Sequence, residues 1–312
     1  MNNYLYQEAV KDAVKDKFKR KQSLESKVTP RHPMSAEREL KRVVNSYMKL
    51  FNQELKEELP GLMQIYKVER REDVRSDDLR DMARIAKDKF YEIAADFEKK
   101  VEKFGLERKI EKIARQAQKS ARNDWKRIVK RTLGVDILES YYNDAFYDAV
   151  VKKWVADNVL KIKSISSQSL GEMQHILMDG YAKQKTIGTI AHELQEEFNL
   201  DKKKAKMIAR DQMGTLNSQI TRLQHEDCGC TKYRWSSSND ERVRDCHAEF
   251  NGQIFEYANP PAEWYDTKSR GRVYTGNHFN PGEAYQCRCV AIPVFDFQKV
   301  DIPMKGNQDE EK

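Results

Sequence analysis

Residues 224–297 constrain this chain most, because they combine cysteine, histidine and turn-forming residues in a short stretch. They hold all five cysteines, three of the six histidines and two of the four tryptophans. Residues 1–223 contain no cysteine. A compact domain that carries the specific chemistry or recognition of the protein is therefore predicted here.

Two short strands are predicted to bring the ends of this segment together. Residues 232–235 alternate basic and aromatic side chains, and residues 290–294 form an apolar run interrupted by Pro293. Both patterns favour strands. The turn-rich sequence between them suggests a small sheet.

A short helix is predicted between the strands. Residues 239–240 are Asn-Asp, which are good N-cap residues, and Gly252 is a good C-terminal stop. Over residues 241–250, His247 and Phe250 fall on one face at helical spacing. His247 is therefore expected to point inward.

Long amphipathic helices are predicted before this segment. Charged residues make up 34% of the chain and hydrophobic residues 39%, and the mean hydropathy is −0.87, as expected for long solvated helices. Apolar residues recur at helical spacing in residues 35–60, 76–104 and 107–133, with Pro60 and Gly105 as stops. The predicted fold class is mainly α with a small α+β C-terminal domain: an elongated helical N-terminal region followed by a compact domain with a short β-sheet.

Further helices are predicted up to the cysteine-rich segment. They cover residues 141–162, 170–183, 186–198 and 201–223, with breaks at the polar run 164–169 and at 199–201. Residues 1–34 are interpreted as an arm outside the core, since prolines follow its first helix, and residues 298–312 as a disordered tail.

Four motifs follow one another in the cysteine-rich segment. They read W-x4-D-x-R-x4-H, G-x-x-F, H-x-x-P-G and C-R-C. Their defining residues are Trp235, Asp240, Arg242, His247, Gly252, His278, Pro281, Gly282, Cys287, Arg288 and Cys289. This series resembles the phage Mu F-like minor head proteins, also called the phage head morphogenesis family, whose C-terminal domain ends in a Cys-Arg-Cys box.

The resemblance weakens upstream. Residues 154–162 resemble the family's W-x3-N-x-L-I segment, and residues 205–210 resemble a helix that normally continues with Thr-Glu. Asp211 and Gln212 replace that pair, so no role for the acidic position is carried over. Helical spacing predicts a helical region at 35–140, to which the resemblance contributes little. The domains that the resemblance implies are a helical linker at 141–223 that leads into the Mu F-like region, and the C-terminal Mu F-like domain at 224–297.

The resemblance implies a minor structural protein of a tailed phage or prophage, not an enzyme. Such a protein would enter the procapsid at low copy through the portal protein and would meet the scaffold and the major capsid protein. It would act in head assembly or in DNA packaging or ejection. Its expected location is the virion, inside the head, after synthesis in the bacterial cytoplasm.

A basic segment is the candidate surface for double-stranded DNA. Residues 98–131 contain 13 Lys/Arg and 5 Asp/Glu, an excess of 8, against a net charge of +7 for the whole chain. Contacts to phosphates would be independent of sequence. The alternative is a solvated helix face with i,i+4 ion pairs. The candidate residues are Lys109, Lys112, Arg115, Lys119, Arg122, Lys126, Arg127, Lys130 and Arg131.

A structural zinc ion is the cofactor that the cysteines and histidines could hold. The preferred ligands are His247, His278, Cys287 and Cys289, because they coincide with the family motifs and offer sulfur and imidazole donors. C-x-C spacing suits one ion less well than C-x-x-C. The alternative is a packing role, in which Arg288 pairs with Asp240 and the thiols act as small apolar groups.

A metal-dependent nuclease is the competing function, since His247, Asn277 and His278 resemble the residues of His-Asn-His enzymes. This chain lacks the clear β-β-α spacing of such enzymes.

A zinc protease is excluded because Glu196 stands where H-E-x-x-H needs its second histidine. Phosphate-binding P-loops and serine-hydrolase elbows do not occur in the sequence. Without a long apolar run or a secretory signal, the chain is expected to fold in the cytoplasm with reduced cysteines and no membrane contact.

Overall fold

A computed structural model describes residues 3–69, 76–183 and 185–304. The helices in these residues are α1 (Asn3–Phe18), α2 (Met34–Glu69), α3 (Ser76–Phe104), α4 (Leu106–Leu133), α5 (Asp144–Ala182), α6 (Ile187–Asp227) and α7 (Asp245–Phe250). The strands are β1 (Ser23–Glu25), β2 (Lys232–Ser236), β3 (Ile254–Glu256), β4 (Ala262–Thr267), β5 (Gly271–His278) and β6 (Val290–Asp296). This mainly helical structure with a small antiparallel sheet confirms the predicted fold class.

The chain forms two compact units from segments that are not contiguous in sequence. The first unit contains the described residues of Met1–Glu37, Ala114–Trp154 and Arg210–Lys312. The second unit contains those of Arg38–Ile113 and Val155–Ala209. The four motifs from Trp235 to Cys289 all lie in the first unit.

The second unit is helical and is built around aromatic side chains. Tyr47 and Phe51 of α2 pack against Phe97 of α3, with ring centroids 5.4 and 4.9 Å apart. The Tyr47 hydroxyl shares a 2.7 Å hydrogen bond with the hydroxyl of Ser166 on α5. The buried faces of α2 and α3 are therefore those that helical spacing predicts.

The main sheet of the first unit has the strand order β1-β6-β2-β3, and every neighbouring pair is antiparallel. Strands β2 and β6 pair in register from Lys232 with Val294 to Ser236 with Val290, which confirms the predicted closure. The indole of Trp125 on α4 stacks on the ring of Phe295 in β6, with centroids 6.0 Å apart. A separate two-stranded sheet pairs β4 with β5.

The sequence predicted that this helix stops at Pro60, but α2 continues to Glu69. Proline inside a helix costs about 3 kcal/mol because it removes a backbone hydrogen bond and crowds the preceding turn. Pro60 is exposed, while Leu55 and Leu62 on either side of it are buried. Packing of the flanking turns offsets the local cost.

Helix α5 also runs through the polar residues 164–169, where a break was expected. The hydroxyls of Ser164 and Ser166 donate to the carbonyls of Lys161 and Lys163 within the helix, at 2.8 and 2.9 Å. Serine therefore bonds back to its own helix here instead of ending it.

Two further boundaries differ from the predictions. The helices predicted at 186–198 and 201–223 are one helix, α6, which begins at Ile187 and contains no proline to interrupt it. Helix α7 begins at Asp245 and not at residue 241, because Arg244 is in an extended conformation at its N-cap.

The prediction that residues 1–34 form an arm outside the core is wrong from Asn3 onward. Val10, Val14 and Phe18 of α1 are buried, and β1 adds a strand to the main sheet. Residues 298–304 are ordered as well, since Val300 and Ile302 are buried, while residues 305–312 of the predicted tail lie outside the described residues. No helix in the described part of the chain has the length and apolarity needed to cross a membrane.

A candidate histidine and cysteine site

His247 lies on α7 with its ring buried between aromatic neighbours. Its side chain is 3% exposed, and the centroid of its ring lies 5.1 Å from that of Trp235 on β2. Phe250, one turn later on the same face, also packs on Trp235. The inward orientation predicted for His247 is therefore confirmed, and it follows from the apolar face of this short helix.

Two cysteine sulfurs lie beside one nitrogen of this ring. The Sγ atoms of Cys287 and Cys289 are 3.5 and 3.7 Å from His247 Nδ1. All three residues are buried, and their potential ligand atoms lie within 4.8 Å of one another. The Cys-Arg-Cys box and the helix histidine thus form one cluster, which we call the His–Cys cluster.

The two thiols of the His–Cys cluster share their protons unequally. Hydrogen bonding from Cys289, aided by His247, lowers the pKa of Cys287 well below its usual range. The same hydrogen bond, together with burial, raises the pKa of Cys289. Cys287 is therefore the sulfur that more readily becomes a thiolate, the form that attacks electrophiles and binds metals.

The C-terminal half of α6 holds the loop that carries these cysteines. Asp211 Oδ1 accepts a 2.9 Å hydrogen bond from the backbone N–H of Gln286. The Ser218 hydroxyl donates to the Pro281 carbonyl at 2.7 Å. Gly214 lies between them, where an added Cβ would be only 3.3 Å from the Cys287 carbonyl oxygen. Sequence reasoning missed these residues; a glycine inside a helix was the available signal.

Arg288, between the two cysteines, points away from the sulfurs and pairs with Asp240. The same carboxylate accepts the backbone N–H of Arg242 at 3.2 Å. Hydrogen bonding from Arg288 lowers the pKa of Asp240 below its usual range. The predicted pairing of Arg288 with Asp240 is confirmed.

A pocket of about 160 Å³ opens beside the His–Cys cluster. It is lined by Ser238, Arg242, Val243, Arg244, His247, Tyr285, Gln286, Cys287, Arg288 and Cys289. Three arginines and three potential metal ligands thus border one small space. A water molecule or a small anion fits such a pocket in size and charge.

Other motif residues have structural positions. Gly252 ends α7 with a φ of +84°, and its N–H donates to the Trp235 carbonyl at 2.8 Å. Gly282 has a φ of +88° and faces Ser218 so closely that a Cβ would lie 3.1 Å from the serine Cβ. Pro281 supplies the carbonyl that Ser218 binds. These residues shape the loops around the His–Cys cluster.

His278 is not brought to the His–Cys cluster. It is exposed at the end of β5, and its Nδ1 lies 2.9 Å from the Pro260 carbonyl oxygen, to which it can donate. Among the described residues, the potential ligand groups that include His247 contain Cys287 and Cys289, or Cys246 and Glu263. The four-residue ligand set predicted from the motifs is therefore corrected to three.

The basic candidates on α4 divide into two sets. Most of them have partners inside the protein: Arg115 pairs with Asp148, Lys126 with Glu139, Arg127 with Asp124 and Lys130 with Asp136, while Lys109 lies over Phe104 and Arg122 donates to the Tyr142 carbonyl. Lys112, Lys119 and Arg131 are exposed and have no ion pair among the described residues. The side chains of this second set are the ones that we consider for contact with a partner.

Comparison with known proteins supports the family seen in the sequence. Residues 172–292 match the family model described as Phage Mu protein F like protein, and this range contains the motifs from Trp235 to Cys289. An uncharacterised protein of Haemophilus influenzae is 39% identical over 168 residues. No solved structure matches the chain.

The match agrees with the resemblance to the phage head morphogenesis family that the motifs indicate. Residues 172–292 of this chain are thus similar to the phage Mu F-like proteins. The alignment to the Haemophilus influenzae protein covers 54% of this chain and 34% of the relative. The chain thus spans about a third of the length of that relative.

Proposed function

We propose that this protein is a minor structural protein of a tailed-phage or prophage head, incorporated at low copy into the procapsid through the portal protein. The observation that carries the proposal is the Mu F-like match over residues 172–292. The matched region builds the small, densely packed structure around Trp235, His247 and the Cys-Arg-Cys box. Scaffold and major capsid protein are the other expected neighbours, and the virion interior is the proposed location.

The buried contacts support a structural role for the motif residues. Trp235, Cys246 and Cys287 belong to one apolar cluster of the first unit, and Arg288 is paired with Asp240. The motif residues thus shape and stabilise a fold. A role in assembly, packaging or ejection follows from the family, with no catalytic residue assigned.

Particle composition tests this proposal directly. The chain is co-expressed with the portal and capsid genes of the same late operon, and procapsids are purified and analysed by quantitative mass spectrometry. We expect a few copies per particle, and a loss of the chain from particles assembled without the portal gene. Absence from particles that contain the portal would overturn the proposal, and retention without the portal would overturn the portal route.

Contact with double-stranded DNA is proposed for the exposed set on α4. Replacing Lys119 and Arg131 by Gln should weaken binding and lower the slope of log K against log salt by about 2, because each phosphate contact releases about one counterion. The matched control replaces Lys126 and Lys130 by Gln. This change removes the same charge, but these two lysines are paired with Glu139 and Asp136. Equal losses in both variants, or no binding at low salt, would contradict the contact.

A metal-dependent nuclease remains the competing function, since the His–Cys cluster borders a pocket lined by arginines. His278, which the nuclease hypothesis needs beside the metal, points elsewhere. Incubating the purified protein with supercoiled DNA and Mg²⁺, Mn²⁺ or Zn²⁺ decides between them. We expect no cleavage, whereas cleavage lost in His247→Ala would favour the nuclease.

A further inference from the structure

We propose that His247 Nδ1 and the Sγ atoms of Cys287 and Cys289 bind one zinc-type divalent metal ion, with Glu263 orienting the histidine ring from its opposite side. The inference rests on the position of four side chains that come from α7, β4 and the Cys-Arg-Cys loop. It goes beyond the proposed head function, and it can fail without affecting that function.

The distances between the donor atoms are those of a zinc site. With bonds of about 2.3 Å to sulfur and 2.05 Å to nitrogen, tetrahedral angles place each sulfur about 3.6 Å from the nitrogen. The observed Nδ1–Sγ distances are 3.5 Å to Cys287 and 3.7 Å to Cys289. The three donors therefore need little movement to surround an ion.

The other side of the imidazole has the partner that a metal-bound histidine needs. Glu263 Oε1 lies 3.9 Å from His247 Nε2, and the Glu263 side chain is 14% exposed. This distance is longer than a hydrogen bond. On metal binding, a closer approach would let the carboxylate accept the second ring N–H, which would fix the tautomer with a free Nδ1 lone pair and make this nitrogen a better donor. Arg244 Nε lies 3.5 Å from the same carboxylate oxygen and forms an ion pair with it.

The charges of the ligands match a divalent ion. On binding, the thiols of Cys287 and Cys289 release their two protons to solvent while the imidazole stays neutral, so two thiolates balance the two positive charges. Because the site is buried, such neutrality removes the large cost of placing a charge in an apolar surrounding.

The loop is held in a conformation that presents both sulfurs. Gln286, just before Cys287, has a φ of +57°, which costs energy for a residue other than glycine. Asp211 accepts its backbone N–H, and the Cys289 N–H points at Cys287 Sγ, 3.4 Å away. A strained loop fixed by a carboxylate on another helix is a pre-organised ligand arrangement.

The fourth coordination position faces the pocket. All three ligands line this space of about 160 Å³, so a water or a small anion completes the tetrahedron from there. Arg242, which also lines the pocket, favours a negatively charged group there. Three protein ligands and one open position distinguish this site from closed structural zinc sites.

Metal content and cobalt spectroscopy test the site in the full chain. Protein purified under reducing conditions is analysed by mass spectrometry for bound metal, and the metal-free protein is titrated with Co²⁺. We expect one ion per chain and a sulfur-to-cobalt charge-transfer band. Cys287→Ser with Cys289→Ser should abolish both signals, and Glu263→Gln should weaken Co²⁺ binding by about 10-fold to 100-fold.

Three matched variants keep the test decisive. Cys246→Ser removes a buried thiol on the Glu263 side of the ring, and Cys230→Ser removes one outside both candidate groups. His278→Ala removes the histidine that the structure places elsewhere. All three should keep the ion. Loss of the ion in Cys246→Ser, or a folded wild-type protein that neither carries metal nor binds Co²⁺, would overturn the proposal.

Discussion

The chain contains two Cys-x-Cys pairs with the same spacing and opposite surroundings. Cys228 and Cys230 are fully buried, and burial raises the pKa of both thiols. Cys287 and Cys289 line a pocket beside His247, and the pKa of Cys287 is lowered. Identical sequence spacing therefore produces a packing element in one case and a candidate binding site in the other.

The residue between the cysteines accounts for part of the difference. Gly229 has a φ of +77°, and its backbone lies so close to the Lys299 carbonyl that a Cβ would be 1.9 Å from the oxygen. Arg288, the equivalent residue of the other pair, reaches out to Asp240. The glycine lets the chain close tightly over the first pair, whereas the arginine holds the second pair beside an open pocket.

The histidines near the two pairs show the same contrast. His225 is fully buried, its Nδ1 shares a 2.7 Å hydrogen bond with the Tyr257 hydroxyl, and burial lowers its pKa to about 3. His247 presents Nδ1 to two sulfurs and Nε2 to a carboxylate. A buried histidine becomes a candidate ligand only where its neighbours supply further donors.

Thiol labelling should show the largest difference between the pairs. In metal-free native protein, iodoacetamide should modify Cys287 about 100-fold faster than Cys228 or Cys230. Cys287 lines a pocket and is 6% exposed, whereas the other two thiols are fully buried and react only after local or global unfolding. Peptide mass spectrometry over time measures the rates, with urea-denatured protein as the control in which all five cysteines react. Similar labelling rates for Cys287 and for Cys228 and Cys230 would show that the two pairs do not differ in accessibility.

Gly229→Ala should give the largest loss of stability. The left-handed backbone costs an alanine about 1–2 kcal/mol, and the clash with the Lys299 carbonyl raises the expected loss to about 3 kcal/mol or more. Gly252→Ala is the matched control, since Gly252 has a φ of +84° but no atom within 4 Å of the added Cβ. Equal shifts of the urea midpoint in the two variants would show that the close approach is not limiting.

Local patterns in the sequence predicted only part of the structure around Cys287 and Cys289. The pairing of β2 with β6, the inward face of α7 and the contact of Arg288 with Asp240 follow from alternation, helical spacing and opposite charge. These features are encoded by neighbouring residues or by simple complementarity. They were therefore open to prediction from a single sequence.

The remaining features of the site depend on contacts between distant residues. Asp211 reaches Gln286 across 75 residues, and Glu263 approaches His247 from a strand that the sequence did not predict. His278 fits the ligand pattern by type but points to Pro260. Residue type and spacing indicate candidate ligands, whereas tertiary packing determines which of them lie close together.

Mutations should show that the hydrogen bonds near each Cys-x-Cys pair stabilise that pair independently of the other. Asp211→Ala leaves the Gln286 N–H without its acceptor and should cost about 2 kcal/mol. Tyr142→Phe removes the hydroxyl that donates to Asp227 Oδ2 at 2.8 Å and contacts Cys228 Sγ at 3.0 Å, and it should cost about 1 kcal/mol. Asp211→Ala should also speed labelling of Cys287, and Tyr142→Phe should leave that rate unchanged. Faster labelling of Cys287 in both variants would mean that the two pairs open together.

Asp240→Asn should have the smallest effect, because both side chains of the Arg288 pair are partly exposed and solvent screens them. The pKa of Asp240 is lowered in the folded protein, so its contribution is present above the unfolded pKa of about 3.9 and is lost as the pH falls through the folded pKa. The melting temperature of Asp240→Asn should therefore lie slightly below that of the wild type at pH 7 and converge with it towards pH 3. A difference that stays constant over this range would show that the carboxylate acts through packing and not through its charge.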